Sequence, residues 1–291
     1  MKQILEVVRF NFEGFLKNPR IIITFLFAFI LCFFLSDRAI MIADYFDTPM
    51  QAAEPFIWTF GDSTSILLCS LLLILMFMNL PNLSPVTPYL LVRIKKSQWL
   101  AGQFIYIIAV TGMYLGYTLI VTCVLCMRRS FIGNIWSKTA ALLAYSQIGK
   151  GYSIPSTVKV MESTSPYECM FQIIVLMLLY TLVLSFVMLL FQIVRGKRAG
   201  ILAGFIYSMF GFLLNPDVLM KILHKEENQM YKIRSIVGWI SPLNQATYKM
   251  HDFGYDKLPS IFQSVLLFFI TLFVLYFIAY KRINKYNFST F

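Results

Sequence analysis

Six long apolar stretches constrain this chain more than any other feature. They occupy roughly residues 21–36, 58–80, 99–126, 170–194, 199–216 and 261–280, with polar loops between them. A helix needs about 20 apolar residues to cross a ~30 Å hydrocarbon core, and inside it every backbone donor and acceptor must be satisfied within the segment. The expected fold is an all-α membrane protein. It has six transmembrane helices, an N-terminal interfacial amphipathic helix over residues 1–20, and helical outer loops on a single transmembrane domain over residues 21–291. Only 13% of residues are charged and 58% are hydrophobic, whereas a soluble domain carries about 25% charged residues. The first stretch reaches only about 24 Å as helix, so it either continues past Asp37-Arg38 or lies where the bilayer is thinned. The third is longer than a crossing needs and is expected to tilt or project.

Charge placement sets the orientation. With the N-terminus inside, segments 1–20, 81–98, 195–198 and 281–291 hold 13 Lys/Arg and two acids, Glu6 and Glu13. The opposite face holds 12 of each sign, so the whole net charge of +11 lies on one side. Basic residues in short loops mark the cytoplasmic face. The expectation is a multi-pass protein of a bacterial plasma membrane with both termini in the cytoplasm.

On a helical projection of residues 1–20, Ile4, Leu5, Val8, Phe12, Phe15 and Leu16 fall on one side, with Glu6, Arg9, Glu13 and Lys17 on the other. This pattern suits a helix lying in the membrane interface. The cytosolic connection 81–98 contains no acid. Thr87 offers an N-cap and Pro88 suits a first helical position, so a short helix is expected to carry Leu90, Leu91 and Ile94 on one face, flanked by Arg93, Lys95 and Lys96. Trp99 marks re-entry into the membrane. Locally, such a loop reads either as a membrane anchor or as a contact for a cytoplasmic partner. On the other side, residues 131–148 read as an external or half-inserted helix because of Lys138 and the Gly-Lys-Gly that follows. Residues 235–250 read as an apolar turn, a Ser-Pro break and an amphipathic helix.

No catalytic, metal or cofactor constellation is legible. Gly149-Lys150 and Gly196-Lys197 lack the first glycine and the Ser/Thr of a phosphate loop. His224 and His251 lack metal spacing and read as polar loop residues. The five cysteines lie in or beside apolar segments and read as small buried hydrophobes, Cys123 and Cys126 included. Basic residues are scattered rather than gathered on a stripe, which argues against nucleic acid. The spans carry almost no charge, unlike those of ion-driven carriers. Their polarity is uncharged: Gln103, Thr111, Gln172, Ser185, Gln192, Ser208 and Asn215. Two small-residue ladders, Gly112/Gly116 and Gly200/Gly204/Ser208, favour close helix approach.

The Ile4–Leu16 helix, the Pro88–Trp99 loop and Trp239-Ile-Ser-Pro-Leu-Asn ahead of the last span together resemble the type 2 permease subunits of ABC exporters. The resemblance covers nearly the whole chain and rests on layout. It implies a homo- or heterodimer of permease subunits above two ABC ATP-binding subunits, which hold the ATP and Mg. It also implies that the loop with Leu90, Leu91, Arg93, Ile94 and Lys96 couples to those subunits, and that the cargo is amphipathic or apolar, such as a peptide. The long loop 127–168 departs from the usual layout. The other reading is a non-transporting immunity or sensory protein that binds a peptide or partner through its outer loops.

Overall fold

A computed structural model describes residues 2–80, 94–146, 154–214, 230–254 and 257–285. Most of the described backbone is helical, with almost no sheet. Among the described residues, four helices are long and apolar enough to cross a membrane: α2 (Pro19–Tyr45), α5 (Lys96–Cys126, extended by a 3-10 turn to Arg129), α8 (Pro166–Arg195) and α12 (Ile261–Lys285). The apolar helices α4 (Ser63–Phe77) and α9 (Lys197–Leu213) are shorter. The other helices among the described residues are α1 (Lys2–Phe12), α3 (Glu54–Thr59), α6 (Lys138–Tyr145), α7 (Val158–Ser163), α10 (Met230–Ile240) and α11 (Pro242–Ala246).

Local chemistry accounts for the helix ends. Asn18 caps α2 by accepting from the Arg20 N–H, and Pro19 occupies the first turn. No glycine or proline interrupts the following residues, so α2 runs straight through Asp37-Arg38 to Tyr45 rather than stopping near 36. It ends where Asp47 takes a left-handed φ of 47° and Pro49 keeps Thr48 out of the helical region. The apolar stretch 58–80 is two helices rather than one. The chain breaks after Thr59, and Asp62 starts α4 by accepting from the Ser65 N–H. A side chain at Gly61 would lie 2.4 Å from Pro155 Cγ, so the break lets a loop press against the backbone there. Gly196, at φ 88°, reverses the chain between α8 and α9.

Long-range contacts give the six apolar helices alternating directions. The starts of α2, α5 and α9 lie with the ends of α4 and α8 beside α1, at what is termed the α1 end. The starts of α4, α8 and α12 lie with the ends of α2, α5 and α9 at the far end. Most of α8 is buried, whereas most of α12 is exposed, so α8 is the central post of the bundle. Its core takes in Tyr180, Leu184, Phe186 and Leu189.

The uncharged polar residues of the apolar helices are mostly tied to neighbours in the same chain. Gln103 pairs with Asn11, Ser208 with Tyr180, Gln192 with the Met78 carbonyl, and Gln172 with Tyr248. Thr111 and Ser185 are buried without a partner among the described residues, and Asn215 lies outside them. The two small-residue ladders behave differently. Gly200 and Gly204 are packed against α8, whereas a Cβ at Gly112 or Gly116 would meet nothing.

Candidate functional site

The α1 end carries the described residues among those expected to have a partner or interfacial role. Helix α1 lies along the start of α5, with Val7 and Asn11 buried and Phe15 buried just beyond it. A Cβ at Gly102 would fall 2.6 Å from Val7 Cγ1, so this glycine sets how closely the helices approach. The Asn11 amide donates to Gln103 Oε1 at 3.0 Å in a buried setting, and Phe12 meets Tyr106 edge-on at 5.0 Å. The apolar face read from the projection is therefore divided. Phe12 and Phe15 pack inward, Ile4 and Val8 are half-buried, and Leu5 (60% exposed) and Leu16 (76%) point away from the bundle. The dominant buried stripe is Val7-Asn11-Phe15, spaced by four residues. Asn11 hid it, because a polar residue on the inner face only makes sense once its partner 92 positions away is known.

Of the loop residues, Leu90, Leu91 and Arg93, with the short helix expected from Pro88, lie outside the described residues. Ile94 is buried at 7% exposure, and Lys96 is half-exposed on the first turn of α5. Trp99 is 4% exposed, so it is a core residue rather than a surface anchor. Ile94, Trp99 and Leu80 belong to the same core as Val7, Phe15 and Phe77.

At the far end, the loops form a packed cap that sequence reading missed. Strands β1 (Met50–Gln51) and β2 (Ser130–Phe131) pair in parallel, joining the loop after α2 to the loop after α5. Glu54 lies behind this pairing with no exposed surface. Its carboxyl accepts from the Gln51 N–H (3.0 Å), the Ser137 N–H (2.7 Å) and the Ser137 hydroxyl (2.6 Å). Ser137 in turn caps α6 through the Ala140 N–H. Of segment 131–148, which reads as one helix, only Lys138–Tyr145 among the described residues is helical. Ser137 starts it, and Gly133-Asn134 keep the residues before it irregular. Arg129 bridges Asp44 (2.6 Å) and Asp47 (2.7 Å) at the cap surface, and Trp136 Nε1 donates to the Thr164 carbonyl. The Ser241-Pro242 break does separate α10 from α11, and Ser241 Oγ donates to the Gly211 carbonyl, anchoring the break on α9.

His251 is not a surface loop residue. It is fully buried, with Nδ1 3.0 Å from the Tyr248 carbonyl and Nε2 3.0 Å from Ser264 Oγ. A carbonyl can only accept, so Nδ1 carries the hydrogen and Nε2 accepts from Ser264. The ring fastens the last loop to α12, and Lys159 Nζ holds the His251 carbonyl at 2.7 Å. His224 lies outside the described residues. No group of three His, Cys, Asp or Glu that could hold a metal ion occurs among the described residues. Glu54 and His251 are too enclosed to meet a substrate, so the arrangement can latch loops but offers no reacting surface.

Burial pushes the Glu54 carboxyl up to about 7, against three hydrogen bonds that favour its charged form. Burial also pushes His251 down to about 4. The raised Glu54 gives stability that is lost as pH rises from about 4.5 to 7. The depressed His251 gives stability that is lost as pH falls from 6.5 to about 4. Each shift corresponds to about 3 kcal/mol, so the two slopes oppose one another between pH 4.5 and 6.5. The parent's unfolding temperature should therefore change little across that window, while His251→Asn should unmask a fall with rising pH. A His251→Asn profile as flat as the parent's would remove Glu54 as the opposing group.

Comparison with family models, with curated proteins and with solved structures gave no match to this chain.

Proposed function

We propose that this chain is the membrane-spanning permease subunit of an ATP-driven ABC exporter, working as a homo- or heterodimer with two separate ATP-binding subunits. In this reading α2, α4, α5, α8, α9 and α12 are six crossings. α4 and α9 are shorter than a ~30 Å core needs, so the bilayer thins around them. The α1 end faces the cytoplasm, α1 lies in the membrane interface with Leu5 and Leu16 towards lipid, and the membrane is a bacterial plasma membrane.

The observation that carries the proposal is the burial of the two residues on either side of 81–93. Leu80 (3% exposed) and Ile94 (7%) are buried in one core with Val7 and Phe15 of the N-terminal unit and Phe77 of α4. A displacement of the loop by a closing ATP-binding subunit would move α1, α4 and α5 together, as coupling to a two-state bundle requires. The uncharged interior of the spans agrees with an energy source outside this chain. An apolar cleft of 640 Å³ between α5, α8 and α12, lined by Phe104, Leu179, Phe269 and Phe273, suits an amphipathic or apolar cargo.

Co-purification with the candidate ATP-binding subunit, and cargo-stimulated ATP hydrolysis in membranes, test the reading. Leu90→Asp with Leu91→Asp should abolish both while leaving the thermal stability of the permease unchanged, since a charge buried unpaired in an apolar contact costs several kcal/mol. Arg93→Glu should weaken binding less, and in a salt-sensitive way. If no ATP-binding subunit associates with the parent chain, the proposal fails. The packed far-end cap then favours a protein that binds a peptide or partner through its outer loops.

A further inference from the structure

At the α1 end two cations converge on a neutral acceptor. Arg20, in the first turn of α2, and Lys197, the first residue of α9, both donate to Asn79 Oδ1 just past the end of α4. One amide oxygen cannot neutralise two positive charges. Each cation also stands at a helix N-terminus, where the backbone itself favours negative charge. Neither makes an ion pair with an acid among the described residues. In the sequence, residues 81–93 after α4 and 286–291 after α12 contain no Asp or Glu. Glu13 rims the neighbouring notch of 80 Å³, with Asn11, Asn18, Asn79 and Tyr106, but bonds neither cation.

We propose that Arg20, Lys197 and Asn79 form a binding site for the phosphate of an anionic glycerophospholipid. Phosphate chemistry fits because an arginine fork and a lysine point charge together supply several charge-assisted donors to one anion. A membrane lipid is favoured over a soluble phosphate by what lies below the cations. Ile23 and Phe27 on α2 are exposed, as are Leu202 and Phe205 on α9, and both helices pack against α4. Exposed apolar side chains thus follow each cation along its own helix, as acyl chains beneath a headgroup require. Bound there, the lipid ties the N-terminal unit to the α8–α9 hairpin. The inference rests on the bundle being membrane-spanning and is independent of the transporter reading, so loss of ATP-binding partners leaves it untouched.

The full chain, purified in a neutral detergent, is titrated with phosphatidylglycerol, phosphatidylcholine or inorganic phosphate. Thermal unfolding and native mass spectrometry report binding. Phosphatidylglycerol should raise the unfolding temperature and remain as a bound lipid; phosphatidylcholine and inorganic phosphate should do neither. Arg20→Gln with Lys197→Gln should weaken phosphatidylglycerol binding at least tenfold. Lys17→Gln with Arg198→Gln removes the same charge from nearby exposed positions and should leave binding unchanged. Should the glutamine pair fail to fold, Arg20→Lys with Lys197→Arg, which keeps both charges, should retain the preference for phosphatidylglycerol. Equal response to both lipids, equal loss in the control pair, loss of the preference in the charge-conserving pair, or stabilisation by inorganic phosphate alone would overturn the site.

Discussion

Glu54→Ala is expected to open the far-end cap while leaving the apolar helices in place. The substitution strands the Gln51 and Ser137 N–H groups and the Ser137 hydroxyl, all buried and all now donating to one carboxyl. Each buried donor left unsatisfied costs about 1–3 kcal/mol. Release of a desolvated carboxyl offsets part of this, leaving about 3 kcal/mol of cap stability lost. The loss falls on the β1–β2 pairing and on the start of α6, since Ser137 both binds Glu54 and caps that helix. Amide exchange should therefore rise around residues 50–60 and 130–140, and a protease should cut there sooner. Helices α8 and α12 should exchange as in the parent. Unchanged protection at Gln51 and Ser137 would show that Glu54 does not hold the cap.

Gly200→Leu is expected to disrupt the bundle itself. A Cβ at this position would lie 2.0 Å from Gln192 Cγ and 2.6 Å from the Met188 carbonyl oxygen. The glutamine side chain can swing away, but the carbonyl belongs to α8 and moves only with the helix. Overpacking of this kind costs about 1–3 kcal/mol for a modest insertion, and the rest of a leucine adds to it. Gly204→Ala should be milder, because the obstruction there is the flexible Met188 side chain. Gly112→Ala should be neutral, with open space around it. Purified yield and unfolding temperature should fall in the order Gly112→Ala, Gly204→Ala, Gly200→Leu. A Gly200→Leu protein as stable as the parent would mean that α8 and α9 do not pack through Gly200.

Apolar length, helical spacing and the absence of breakers are local properties. The sequence by itself therefore determined that the chain is all-α, that it contains long apolar helices, and that a Ser-Pro break precedes the last of them. The break inside 58–80 was not read from the sequence, where the stretch passes for one apolar span, because Gly61 acquires its meaning only from Pro155. The cap, the His251 latch and the cation pair over Asn79 were decided by tertiary structure alone. Glu54 reaches Ser137 across 83 positions, Arg20 reaches Asn79 across 59, and Lys197 reaches Asn79 across 118. No periodicity in the chain marks such pairs. Each polar residue reads as an ordinary loop or interface residue until packing removes water and leaves one partner within reach.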